Sequence, residues 1–435
     1  MNKTIFWHRR DLRIHDNAGL YKALKSSASV QPIFIFDRNI LDLLPKNDQR
    51  VLFIYQHAQK LKEAYRKLGS DLWVFYGSPL EILPKLTEEK RFDSVYTNRD
   101  YEPYALERDK TMFDLLKNKN VEFHGAKDHV IFEKNEVLKD DGKPYTVFTP
   151  YSRKWKAKMN DYFLSSYSVE NYLGNLNKTI EGVEFPSLLE MGFNDEQLFP
   201  FPKDVASNEL IKNYDLRRNF PSVEGTSRLS VHLRFGTISI RELARQAQNL
   251  NETFLNELIW RDFYQMIIYH FPHSAKDAFK SAYDKIQWEK NEAHFQAWCE
   301  GKTGYPLVDA GMRELNQTGF MHNRVRMVVA SFLTKHLLLD WRWGEAYFAE
   351  KLMDFELASN VGGWQWAAGC GCDAAPYFRV FNPAAQQEKF DKKMEYIKKW
   401  VPEFGTSTYP EPIIDHKFAR ERVLERFKSA LNETI

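Results

Sequence analysis

VQPIFIFD, residues 30–37, is a short β-rich run, and what stands on either side of it decides the fold. Upstream lie TIFWHR (4–9) and a helical pattern near 17–26. Downstream, an amphipathic segment at 49–68 carries Leu52, Tyr55, Gln56, Gln59, Leu61, Lys62 and Tyr65, which mix an apolar stripe with a charged face. The alternation continues through LWVFYG (72–77), helical residues 79–90, SVYTN (94–98), helical residues 102–118 and VEFHGA (121–126). Strand–helix alternation at this spacing predicts an α/β domain with a parallel five-stranded sheet and right-handed crossovers. The stretch holds no GxGxxG and no GxxxxGK[ST], so it is not an obvious dinucleotide or P-loop site.

A chain of 435 residues is too long for one ordinary core and predicts two domains, with room for a small third element. Hydrophobic content of 43% and charged content of 28% describe a soluble globular protein. A net charge of +2 excludes a histone-like electrostatic binder but allows a local basic patch. The anomaly is aromatic: 11 Trp, 21 Tyr and 32 Phe. Cys299, Cys370 and Cys372 are too few for a disulfide framework or a four-thiolate cluster, and Cys370-Gly371-Cys372 is only a weak metal signal. No metal is expected, and a reduced, cytoplasmic setting fits. The opening MNKTIFWHRRDLRIHDN has no apolar core of a signal peptide, and no window approaches about 18 uninterrupted apolar residues.

Residues 1–130 form the predicted α/β domain. Residues 131–200, with Gly174, Gly182, Pro186 and Gly192, read as a connector wrapped on the surface. Within it Arg153, Lys154, Lys156 and Lys158 interleave with Tyr151 and Trp155, a solvated face or a polyanion contact. Residues 201–435 are expected to be all helical, with patterns at 239–249, 252–271, 292–300, 306–317, 323–339, 344–352 and 386–400.

Four constellations could carry chemistry. GTSRLS (225–230) offers hydroxyls and backbone N–H groups for a phosphate, and is also the pattern of an ordinary helix N-cap. In ELIWRDFY (257–264), helical spacing puts Glu257, Trp260, Arg261 and Tyr264 on one stripe. A carboxylate beside a ring suits a flat heteroaromatic ligand, while a Glu257–Arg261 surface pair is the plainer reading. In HNRVRM (322–327), Asn323, Arg326 and Met327 share a face and Arg324 points elsewhere. DFELASNVGGWQW (354–366) places Asp354 and Glu356 before Asn360, a glycine pair and two tryptophans. There is no GxSxG elbow, no HExxH and no convincing His/Cys nucleophile, which invites a cofactor that supplies its own chemistry.

Together these motifs are recognisable. HRRDLRIHDN (8–17), EGTSRLS (224–230), NELIWRDFYQ (256–265), GKTGYPLVDAGMREL (301–315), GFMHNRVRM (319–327) and ASNVGGWQWAAGCGCDAAPYFRVFNP (358–383) occur in order. The chain resembles the DNA photolyase/cryptochrome family, most closely its microbial class I cyclobutane pyrimidine dimer photolyases. The resemblance implies a Rossmann-like α/β antenna domain and an all-α domain that binds FAD, reduced in the active state. It implies that UV-damaged DNA is the partner and that light drives electron transfer from flavin to a flipped dimer.

Carried over by position, Tyr214, Thr226, Ser227, Arg228, Leu229 and Ser230 are expected at the FAD phosphates. Phe254, Glu257, Arg261, Asn323, Arg326, Asp354, Phe355, Glu356 and Asn360 are expected around the rest of the cofactor, with Arg326 paired to Asp354 and Asn360 facing flavin N5. Glu356 departs from the Asp common at its position. The resemblance assigns Glu257, Trp260, Asn323, Met327 and Trp366 to the lesion, and Trp364, Trp341 and Trp288, in that order, to an electron wire. Arg218, Arg324 and Arg379 are expected at DNA phosphates, which position the duplex without reading it. The rival reading is a cryptochrome-like blue-light receptor without repair activity; photolyase of (6-4) products wants a histidine pair that His322 alone does not supply. A second, antenna chromophore is left open, as a deazaflavin, a second flavin or an empty site, and a folate is disfavoured: Tyr104 and Ala105 stand where folate-binding relatives have an Asn-Glu pair. A monomer is expected.

Overall fold

The computed structural model describes residues 2–178 and 183–432. The chain forms two compact units that interleave along the sequence. The first is Met1–Glu136, Trp155–Val205 and Arg228–Asn249; the second is Val137–Lys154, Ala206–Ser227 and Leu250–Ile435.

In the first unit, β1 (Lys3–His8), β2 (Ser29–Asp37), β3 (Trp73–Gly77), β4 (Ser94–Asn98) and β5 (Glu122–Ala126) pair in parallel in the order β3-β2-β1-β4-β5. The helices α1 (Ala18–Ser26), α2 (Gln49–Lys67), α3 (Pro79–Lys90) and α4 (Pro103–Lys117) run between them. Every β2 residue from Val30 to Asp37 is buried, which explains an apolar run rather than an alternation. Asn17 and Asp48 start α1 and α2 by accepting the N–H groups of Leu20 and Arg50. Arg91 ends α3 in the left-handed conformation.

The boundaries expected at 130 and 200 are not those of the compact units. Residues 155–178 and 183–205 are no loose wrapping: Trp155, Leu164, Val169, Leu176, Met191 and Phe193 are buried, and Asn177 donates its N–H to the Val30 carbonyl. Gly182, one of the glycines that pointed to a connector, lies outside the described residues. Tyr151 and Trp155 are buried, so they do not interleave with the lysines on a common exposed face. Residues 228–249, expected in the helical domain, sit in the first unit because Arg241 is tied there to Asp16 and Asp128. Burial alone would raise the Asp128 carboxyl; Arg13 and Arg241 overcome it and hold it well below the usual carboxylate range.

The helix α5 (Phe148–Lys158) follows the sheet, and α6 (Ile240–Leu250) lies almost wholly in the first unit. The second unit contains α7 (Glu252–His270), α8 (Glu292–Glu300), α9 (Pro306–Thr318), α10 (Asn323–Ser331), α11 (Trp341–Lys351), α12 (Leu357–Ala368), α13 (Pro383–Phe390), α14 (Glu395–Trp400) and α15 (His416–Asn432). Three departures from the sequence pattern matter. The helix expected over 323–339 passes into a π-helical turn at Phe332–His336. The one expected over 386–400 breaks at Met394, whose φ is +57°. The helix α12 was not anticipated at all, because a glycine pair behind two alternating acids does not look helical. Trp298, Trp341, Trp364, Phe332 and Phe348 meet in the core of this unit. Among the described residues no helix is long and apolar enough to cross a membrane.

Candidate functional site

The site is organised by α7. Asn251 caps it by accepting the Phe254 N–H at 3.1 Å, and its stripe then presents Glu257, Trp260, Arg261 and Tyr264. The plainer of the two readings, a Glu257–Arg261 surface pair, is not what forms. Arg261, 9% exposed, donates Nη2 to Oε1 of Glu356 at 2.9 Å. Glu257 is paired with Arg218, which also lies over the Tyr214 ring at 5.3 Å. Burial raises the Glu257 carboxyl above its ordinary value, against the pull of the Arg218 guanidinium. Arg218, expected at a DNA phosphate, is therefore turned toward a carboxylate of its own unit. Trp260 lies on Phe148 with ring centroids 3.7 Å apart and meets Tyr264 at 5.4 Å.

Beside α7, α10 begins at Asn323 after a cap by His322. Asn323 is exposed, and its amide has no hydrogen-bond partner among the described residues. Arg326 donates Nη2 to both Asp354 oxygens, at 3.1 and 2.9 Å, and Nε to the Met321 carbonyl at 2.7 Å. That is the expected pair. Arg324 donates to Oδ1 of Asn219 at 2.7 Å, lies over Phe390, and has Nη1 3.7 Å from the Met327 sulfur. Arg379 is exposed and lies over Phe381, which is 6.3 Å from Trp366.

The stretch NVGGWQW forms the middle of α12, and its two glycines differ in what surrounds them. A Cβ on Gly362 would lie 2.3 Å from the Tyr264 ring, so this glycine makes room for that ring. A Cβ on Gly363 would meet nothing within 4 Å, so no protein atom demands that glycine. The Trp364 indole lies on Gly344 of α11, where an added Cβ would be 2.1 Å away. Asn360 donates Nδ2 to Glu345 twice, to the backbone carbonyl at 3.1 Å and to Oε1 at 2.8 Å. Burial raises the Glu345 carboxyl, with the Asn360 hydrogen bond opposing. Trp364 and Trp341 share one core, and Trp288 packs against it and against Phe427 of α15 at 5.9 Å.

The remaining expected residues are less concentrated. Tyr214 meets Phe254 edge-on at 5.1 Å, and burial raises its hydroxyl. Phe355 packs on the core that holds Trp364. Thr226 and Ser227 belong to the second unit. Arg228, Leu229 and Ser230 belong to the first, where Ser230 opens the short helix Ser230–Phe235. Gly225 is required where it stands, since a Cβ would lie 2.8 Å from the Arg217 carbonyl oxygen. Cys370 and Cys372 are buried thiols whose pKa values burial pushes up to about 12, the opposite of what metal ligation needs. Two residues of this neighbourhood were not singled out from the sequence: Glu345, which looks like any exposed helix acid, and Phe148, in a segment read as connector.

Residues 4–167 match the family described as DNA photolyase, and residues 254–407 match the FAD binding domain of DNA photolyase. The deoxyribodipyrimidine photo-lyase of a Synechococcus strain is 37% identical over 99% of this chain and 96% of its own length. That of Escherichia coli is 37% identical over 99% of both.

The chain belongs to the DNA photolyase family.

Its fold agrees with solved structures. A class III photolyase from Agrobacterium tumefaciens superposes with a TM-score of 0.87 at 31% identity, over 99% of this chain and 98% of that one. An archaeal photolyase from Sulfolobus tokodaii, solved with two FAD molecules, gives 0.82 at 35% identity over 98% and 100%. A Synechocystis cryptochrome gives 0.85 at the lower identity of 25%, over 98% and 99%.

The residues of the second unit fit a flavin of the kind this family's domain binds. Gly363 offers a face that no protein atom fills. Both N–H bonds of the Asn360 amide are spent on Glu345, while Oδ1 accepts nothing among the described residues. It is thus an open acceptor for a ring N–H. Glu356 and Asp354 are each fixed by an arginine, so the second unit holds two oriented carboxylates.

Proposed function

We propose that this protein repairs cyclobutane pyrimidine dimers in DNA with light, by electron transfer from reduced FAD to a dimer flipped out of the duplex. The observation that carries the reading is the joint placement on α7 of a partly buried carboxylate, Glu257, and the Trp260 indole, one turn from Arg261 and its partner Glu356. Bound FAD, when reduced, supplies the photoexcited electron. The rest is the protein's own work. Arg261, Asn323, Arg326, Asp354, Glu356 and Asn360 hold and orient the cofactor, with Tyr214, Thr226, Ser227, Phe254 and Phe355 contributing. Asn360 presents Oδ1 to the N5 side.

On the lesion side Glu257 accepts hydrogen bonds from base N–H groups, an exchange in which the Arg218 pair opens. Trp260, Trp366 and Met327 exclude water from the opened bases. Flipping is cheaper for a dimer, which already distorts the duplex. Arg324 and Arg379 supply the positive rim. Trp364, Trp341 and Trp288 pass an electron inward from the surface when the cofactor has been oxidised. The protein acts as a monomer in the cytoplasm on this reading. A light-gathering second chromophore is compatible with it, and the Sulfolobus relative with two FAD molecules is a precedent in another protein.

The reading is tested by extracting the cofactor from purified protein and measuring affinity for an oligonucleotide with one thymine dimer against its undamaged twin. FAD and a clear preference for the dimer are expected, with affinity falling as salt rises. Absence of both flavin and preference would refute it.

A further inference from the structure

Phe148 opens α5, and its ring lies face to face on the Trp260 indole, 3.7 Å between centroids and 3° between planes. The contact is held from several sides. The Phe148 N–H donates to Oδ2 of Asp373 at 3.0 Å. Phe148 meets Phe263 edge-on at 5.9 Å, and Tyr151, buried one turn on, packs on the same ring at 5.2 Å. The Ser152 hydroxyl reaches Oδ1 of Asn256 at 3.4 Å. The first turn of α5 is thus fixed to α7 across the turn that carries Trp260.

A ring face covered at 3.7 Å admits no other ligand. Trp260 nevertheless keeps part of its surface exposed, so that surface belongs to the remainder of the indole. Tyr264 borders it, and Gly362 holds Tyr264 in place.

We propose that Phe148 is a positioning residue for the damaged base. It fixes the plane of Trp260 from behind, so that a flipped pyrimidine packs on a wall whose orientation is set before binding. This rests on the reading of Glu257 and Trp260 as the lesion side. The physical ground is preorganisation: an indole free to turn about its side-chain torsions loses that freedom when a base stacks on it, and a backing ring moves the loss to folding. The face-to-face pair also adds attraction beyond the area it buries. The opposite role, a stand-in that the base displaces, predicts the opposite sign.

The test compares Phe148→Leu and Phe148→Tyr with the unaltered holoprotein. Each is checked for flavin content and for binding to one oligonucleotide with a single thymine dimer and to its undamaged twin. Phe148→Leu is expected to weaken dimer binding about three- to tenfold and to leave undamaged binding and flavin content alone. Phe148→Tyr is expected to restore the dimer preference. In a Trp260→Ala background Phe148→Leu should have no further effect on that preference, because its action passes through the indole. An unchanged preference in Phe148→Leu, a tighter dimer complex, or an undiminished effect without Trp260 would overturn the role of Phe148 while leaving the proposed function standing. No dimer preference in the unaltered protein would overturn both.

Discussion

Glu345 accepts the Asn360 side-chain N–H at 2.8 Å while its backbone carbonyl accepts the other at 3.1 Å, across neighbouring helices α11 and α12. The two bonds settle which way the amide faces: nitrogen toward α11, Oδ1 away from it. Burial raises the Glu345 carboxyl above its ordinary value, so it takes up a proton at a higher pH than a surface glutamate, while the Asn360 hydrogen bond opposes this by favouring the charged form.

Glu345→Leu removes the side-chain acceptor and keeps the backbone one. The amide is then less firmly oriented, and the reduced cofactor loses a fixed acceptor for its N–H. The photoreduced variant should return to the oxidised yellow form in the dark about fivefold faster than the unaltered protein, the worth of about one hydrogen bond. An unchanged rate would mean that Glu345 does not govern Asn360.

The adjacent glycines separate packing from ligand approach. Gly362→Ala drives a methyl to 2.3 Å from the Tyr264 ring and should lower unfolding stability by about 1–3 kcal/mol. Gly363→Ala meets no protein atom and should be neutral or stabilising by up to about 1 kcal/mol, since alanine favours a helix interior. Its flavin content should nonetheless fall. Denaturant melts combined with flavin absorbance distinguish the two; full flavin retention in Gly363→Ala would remove that face from the cofactor site.

Trp364→Phe should abolish photoreduction of the oxidised protein and leave repair by chemically reduced protein within about twofold, because the chain Trp364–Trp341–Trp288 serves only to refill the cofactor. Collapse of repair under chemical reductant would take Trp364 out of the wire and make it part of the repair step.

Lys335 lies buried in the π turn, donates Nζ to the Ala368 carbonyl at 2.7 Å and sits 3.8 Å over the Phe427 ring. Burial pulls its pKa from 10.5 down to about 7. Between those values the unfolded chain holds a proton there that the folded chain does not, so the folded state gains as pH rises from about 7 to 10.5. Below about 7 both states are charged and the penalty is constant. Lys335→Met should flatten this dependence in urea melts across that range, by up to a few kcal/mol. Parallel profiles for variant and unaltered protein would contradict it.

The strands were legible from the sequence because burial on both faces left runs such as VQPIFIFD, and the amphipathic stripe at 49–68 marked α2. The expected Arg326–Asp354 pair likewise formed. What stayed hidden depends on contacts distant in sequence. The Gly362-Gly363 pair looks unhelical until Tyr264 supplies the reason for one glycine. Arg241 belongs with the sheet only through Asp16 and Asp128, more than a hundred residues away. Phe148 follows a turn-rich segment, and nothing local tells that its ring meets Trp260. The Glu257–Arg218 pair is invisible for the same reason: helical spacing offered Arg261 instead.

The central claim is most directly tested by giving the reduced protein an oligonucleotide with one thymine dimer and comparing blue light with darkness. Light-dependent recovery of the thymine absorbance, absent in the dark and strongly reduced in Glu257→Ala that still carries its flavin, is the predicted result. A protein with bound, photoreducible flavin that restores no thymine in light would contradict repair and leave a light-sensing role for the same fold.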